Sequence, residues 1–450
     1  MSQHDDAIAR LTASDAAAAM AAGTLTSEAL VRALLARIEQ REPAVQAWAW
    51  MDPDLALAQA RAADAVPRRS PLHGIPVGIK DVIDTADMPT GYGSPIYDGH
   101  RPVGDAACVA QLREAGAVIL GKTVSTEFAT RHPNKTRNPH DPTRTPGGSS
   151  SGSGAAVADY MVPLALGTQT SSSIIRPAAY CGVVGCKPSL GLINRAGLKF
   201  LSESLDTLGV LSRSVADAGL LLQVLGGLAP MPARPSSAPA LRIGLCRTPW
   251  WDAAEPPARA ALQAAAGRLA QAGARVSEVE LPAPFAGLND AQVAMSSYEF
   301  HRALAWERQH HADRISASLT ARLAGGAQVT RDRYEAARAL TEQCMALIAR
   351  RFSGVDLLLA PSVPGEAPGI ESTGEPTFGL MWSQLGLPCL TLPAGRGPSG
   401  LPLGVQLIAP RQADAALLRD AAWVETVLAP VATAAVSVAS PGADPEGVRS

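Results

Sequence analysis

The sequence predicts an α/β fold in which a large, mixed but mostly parallel sheet is covered by helices on both faces. Two observations predict it. The 450-residue chain is 47% hydrophobic and only 18% charged, which supplies a large core and excludes disorder, collagen and coiled coil. From Gly74 onward, short apolar runs of strand length alternate with helical patterns, as parallel strands joined by covering helices require.

Residues 5–65 read as three helices forming a packing layer: an Ala-rich one ending near Gly23, one capped by Thr26 or Ser27 with Leu30, Leu34, Leu35 and Ile38 on one face, and one from Asp54. GIPVGIKDV then reads as a strand, followed by a helix over 105–115 and a strand at 117–120. The alternation resumes with helix 214–226, strand 241–246, helix 256–272 and strands 275–281, 356–361, 389–393 and 404–410. Three stretches break it. Segment 130–153 is polar, nearly free of aliphatics and too long for a simple connection, which marks it as functional. Segment 229–240, rich in Pro, Ala and Ser, is expected to be a surface loop inside one domain spanning 1–450, and 430–450 a flexible tail.

A formal charge of -2 and a pI near 6.5 argue against a nucleic-acid stripe or a membrane anchor, and leave a small molecule as the expected partner. Self-association into a homodimer is left open. The N-terminus lacks a basic segment followed by an apolar one, and no uncharged run of 18 or more apolar residues occurs, so a cytoplasmic location is expected. Six Cys fall in no zinc or disulfide pattern, and no metal or other cofactor is expected. Only five of the 39 basic side chains are Lys, at 80, 122, 135, 187 and 199. In an Arg-rich chain, a Lys persists where a compact, deprotonatable amine is needed.

Two motifs match in letters and fail in context. GAVILGKT, Gly116 to Thr123, fits a phosphate loop, but its interior residues are themselves strand formers. Gly148 to Gly152 fits the GxSxG elbow of an α/β-hydrolase, with Ser150 as nucleophile and His301, His310 and His311 downstream. The preceding NPHDPTRTP has no strand to end in an elbow.

Three other segments fit together. In an extended GIPVGIKDV, Lys80 shares a face with Pro76 and Gly78 in apolar surroundings, where burial disfavours the ammonium and makes a base of the amine. TPGGSSSGSG places Ser149, Ser150 and Ser151 at the start of a helix, and ALGTQTSSSIIRPAAYCG ends a strand in a second hydroxyl-rich loop, Thr170 to Ser173. With GKTVSTEFA and SLDTLGVLSRSVADA, these segments resemble the amidase signature family of serine hydrolases, densely from about 71 to 213. The likeness thins through DLLLAPSVPG and GLPCLTLPAG to GLPLGVQLIAP.

The resemblance implies a three-layer α/β/α fold and a triad of Lys80 as base, Ser149 as a bridge held by a cis peptide bond, and Ser173 as nucleophile. It implies an oxyanion hole in the backbone N–H groups of Thr170, Ser171, Ser172 and Ser173, and an acyl-enzyme route for cleaving a carbon–nitrogen bond other than a peptide bond. A carboxamide is the expected substrate, with aryl amide, ester or carbamate (urethane) as extensions. The alternatives are the amidase-like subunit of a glutamine-dependent tRNA amidotransferase and the Ser150 elbow enzyme. The commoner family loop reads GTDTGGSIR; Gln169, Ser171, Ser172 and the displaced Arg176 depart from it, which predicts a different loop support. Tyr92, Phe128, Tyr298, Phe378 and Trp382 are nominated for the substrate pocket as aromatic residues near loops.

Overall fold

The computed structural model describes residues 1–231 and 241–429, so the 430–450 tail and most of the 229–240 segment lie outside the described residues. Its framework is one sheet of eleven strands: β1 (Trp48–Trp50), β2 (Pro76–Lys80), β3 (Val118–Thr123), β4 (Leu164–Gln169), β5 (Val184–Lys187), β6 (Thr207–Ser212), β7 (Arg242–Leu245), β8 (Arg275–Glu278), β9 (Leu357–Pro361), β10 (Cys389–Arg396) and β11 (Pro402–Ile408). They run in the order β1-β3-β2-β4-β6-β5-β10-β11-β9-β7-β8.

The sheet is mixed, but the expectation of a mostly parallel one is corrected: six of its ten strand pairings are antiparallel. Parallel pairing is confined to β3-β2-β4 on one side and β9-β7-β8 on the other, where helices connect the strands. Between these blocks the centre is antiparallel, closed by the β10–β11 hairpin. β2, β4, β5, β6, β9 and β11 are buried along their whole length, which explains why they read as unbroken apolar runs.

The Ala-rich N-terminal stretch forms two helices, Gln3–Ala9 and Ala13–Ala21, because Thr12 accepts from the Asp15 N–H and starts a second helix. The Ser27–Val45 helix is capped by Thr26, and Leu30, Leu34 and Ile38 are buried beneath it. Asp52 caps the Pro53–Asp64 helix. Strand β1 has no counterpart among the expected elements; at three residues it is too short to leave a period-two signature. Among the described residues no helix is long and apolar enough to cross a membrane. All six Cys are buried and unpaired.

Candidate active site

β2 and β4 pair in parallel, so their carboxyl ends open on the same edge of the sheet, where α/β proteins place their ligands. Lys80 is the last residue of β2 and Gln169 the last of β4. Lys80 is wholly buried, with its Nζ 2.7 Å from Ser149 Oγ and 2.6 Å from Thr168 Oγ1. Burial holds the amine well below its usual range; Asp206 favours the ammonium, and Arg176 opposes it. Nothing in the sequence pattern assigns Thr168 a role, yet its hydroxyl fixes the direction of the amine.

Ser149 follows a cis peptide bond from Gly148, as the resemblance implies, and precedes the Ser151–Ala158 helix. That helix runs tight against the sheet edge: a Cβ on Gly152 would lie 2.3 Å from both Ala47 O and Val124 N, so this position must be glycine. Arg176 donates to the Gly148 carbonyl from Nε at 3.2 Å and from Nη2 at 2.7 Å, and to Gly374 O at 2.8 Å. No carboxylate among the described residues pairs with it, and burial pushes its guanidinium down to about 10. The displaced Arg therefore braces the serine bridge from behind.

The other departure has an equally direct account. Gln169 Oε1 accepts the N–H groups of Ile174, at 2.8 Å, and Ile175, at 3.0 Å, where the Ile175–Cys181 helix begins. Its Nε2 donates to Ser383 Oγ at 2.9 Å, and Ser383 donates to Ser171 O at 2.6 Å. An Asp could accept the two N–H groups but could not donate to Ser383. Gln292 completes the support from the Leu288–Ala303 helix, donating to Thr170 O at 3.0 Å and Ser171 Oγ at 3.2 Å. Held in this way, the loop leaves the backbone N–H groups of Ser171, Ser172 and Ser173 with no acceptor among the described residues. Ser383→Ala is expected to cost about 1–3 kcal/mol of stability, because the buried Gln169 amide and Ser171 carbonyl each lose a partner. It is also expected to lower kcat more than it raises KM; urea unfolding and steady-state kinetics check both.

A cavity of about 550 Å³ opens over this loop, lined among others by Thr170, Ser171, Ser173, Arg176, Gln292 and Arg322. Ser173 is 7% exposed whereas Ser149 and Ser150 are at 0%, so of these three only Ser173 meets the cavity. Its hydroxyl bonds to none of the described residues. Arg322, from the Ala317–Ala327 helix, donates to Ser296 Oγ at 3.2 Å and pairs with no carboxylate among the described residues. Burial pushes it down to about 10. No local pattern in the sequence marks Arg322, Ser383 or Gln292; they arrive from helices more than a hundred residues away.

None of the five nominated aromatic residues lines this cavity. Tyr92 is buried, with its hydroxyl on Asp84, and Phe128 and Trp382 are core residues. Phe378 is also buried and meets Gln406 through its carbonyl. Tyr298 stacks on Tyr334 at 4.4 Å and lines a separate cavity. An aromatic side chain gains most from full burial, and that took these residues inward; Phe300 is the aromatic that does line the site. The Ser150 hydroxyl is occupied by the backbone of Thr168, and His301 bonds Leu323 O, so the elbow arrangement is not assembled.

The sequence pattern of the amidase family matches residues 29–418. A glutamyl-tRNA(Gln) amidotransferase subunit from Chloroflexus aggregans is 37% identical, covering 91% of this chain and 94% of its own length. The peptide amidase of Stenotrophomonas maltophilia superposes with a TM-score of 0.79 at 32% identity, covering 93% of this chain and 97% of its own. A protein of a vestigial complex linked to the origins of an s-triazine catabolic enzyme gives 0.84 at 30%, covering 93% and 98%. The first of these relatives corrects the expectation of a small-molecule partner and no nucleic acid, since its name makes it one component of an enzyme acting on a tRNA. Near-zero net charge is a weak ground for exclusion in one component of an assembly, because another can carry the basic surface. The match over most of the chain, at this level of identity, means that the protein belongs to the amidase family.

Proposed function

We propose that this chain cleaves a carboxamide through an acyl-enzyme on Ser173, and that the amide is borne by glutamine or a close carboxylate-bearing analogue. The ammonia released would pass to a partner subunit of an amidotransferase. The carrying observation is the 2.7 Å contact between buried Lys80 and Ser149 beneath a cavity that exposes Ser173. Thr168 Oγ1 accepts one amine N–H, which leaves the lone pair of neutral Lys80 for the Ser149 proton. Ser149 in turn takes the proton of Ser173 as its oxygen attacks the carbonyl. The free N–H groups of Ser171 to Ser173 receive the oxyanion. The proton returns through Ser149 to the departing ammonia, and water, activated by the same relay, releases the acid.

The substrate class rests on two supports: the relatives named as amidotransferase subunits, and Arg322, a guanidinium without a carboxylate partner among the described residues in the same cavity. A cytoplasmic location accompanies this reading. A second reading, a self-contained amidase or amide-type hydrolase, is favoured by the Gln169–Ser383 loop support, which departs from the commoner GTDTGGSIR form. Ammonia release from glutamine and from simple aliphatic, aryl and peptide amides separates the two. Glutamine is expected to be turned over, with Arg322→Ala raising its KM about tenfold or more. Inertness toward glutamine alongside turnover of uncharged amides would sink the first reading and leave the second.

A further inference from the structure

Asp206 is a buried carboxylate with no cationic partner at ion-pair distance among the described residues, and the proton relay above does not use it. It lies one residue before β6, where Gln169 of β4 pairs with Thr207. One oxygen accepts the Thr170 hydroxyl at 2.5 Å; the other accepts the N–H groups of Leu201 at 2.9 Å and Ser202 at 3.0 Å. Three donors thus fix the carboxylate beneath the loop that carries Ser173. We propose that Asp206 is a positioning residue of this site, anchoring Thr170 in the loop that carries Ser173.

Thr170 is the hinge between β4 and the free N–H groups, and Gln292 already holds its carbonyl, so the hydroxyl bond to Asp206 fixes its remaining freedom. Burial raises the Asp206 carboxyl, while the Ser202 N–H, the Thr170 hydroxyl and the Leu201 N–H that it accepts pull it back down. The three donors are thus both what holds the carboxylate in place and what makes its burial tolerable.

The inference rests on Ser173 as the reacting group, and the test keeps the two claims apart. kcat and KM are measured with the best amide found for the wild type, Thr170→Val, Asp206→Asn and Ser173→Ala, together with thermal unfolding. Thr170→Val, which removes the hydroxyl donor alone, is expected to lower kcat about tenfold with KM within about twofold of the wild type. Asp206→Asn is expected to lower kcat at least as far. A wild-type kcat in Thr170→Val overturns the anchoring role, as does a KM that rises tenfold with kcat in place. Turnover that survives in Ser173→Ala would instead fall on Ser173 as the reacting group. Should Asp206→Asn not fold, Thr170→Val decides the proposal.

Discussion

Lys80→Arg is expected to fold and to lose about 10⁴-fold or more in kcat/KM at every pH, whereas the wild type gains activity as pH rises. The reason is the charge state that the site requires. A base must present a lone pair, and a guanidinium stays protonated throughout the range in which proteins are folded. Burial holds the Lys80 amine well below its usual range, which favours the neutral, basic form, and the share of that form grows as pH rises. Activity should therefore climb with pH through the folded-state pKa to a plateau. A flat profile from pH 5 to 9 with chemistry rate-limiting, or an Arg variant within tenfold of the wild type, would remove Lys80 from the base role. Lys122 supplies the internal contrast: it is equally buried and pushed down to about 8, yet it donates to Thr85, Thr90 and the Ile83 carbonyl and does not line the cavity over Ser173.

Lys80 and Lys122 also show how far the sequence could be read. Both are rare lysines in an Arg-rich chain, and composition marks them equally. Only the resemblance of GIPVGIKDV and the serine spacing singles out Lys80. Local chemistry was legible: the Thr26 cap, the helix after Gly148 and the Ser173 loop all sit where short-range patterns place them. What depended on strand order was not. The antiparallel centre of the sheet arises because β6 inserts between β4 and β5, and no residue in SLDTLGVLSRS announces its neighbours. The support for the Ser173 loop was equally hidden. The sequence showed that Gln169 and Arg176 differ from the commoner form; only the fold shows that Ser383, 214 residues on, receives the amide that an Asp would lack. Pocket aromatics failed for a related reason: proximity to a loop says nothing about which way a large side chain turns, and burial decided it.

The second large effect concerns Ser173, the proposed nucleophile. A serine-directed fluorophosphonate is expected to add one label to the wild type and none to Ser173→Ala, whose amide turnover should fall by about 10⁴-fold or more. Ser149 and Ser150 are wholly buried, and Ser150 is already bonded to the Thr168 backbone, so neither can meet a phosphorus centre without the loop opening. Ser173 alone of the three combines contact with the cavity, a hydroxyl with no partner among the described residues, and neighbouring N–H groups free to bind the anionic oxygen of the adduct. Ser149→Ala should label more slowly, because Ser173 would then be cut off from Lys80. The two are told apart by rate: Ser149→Ala labels slowly and to completion, whereas Ser173→Ala never labels. Label that persists in Ser173→Ala and vanishes in Ser150→Ala would transfer the chemistry to the serine elbow and require that segment to rebuild itself in solution.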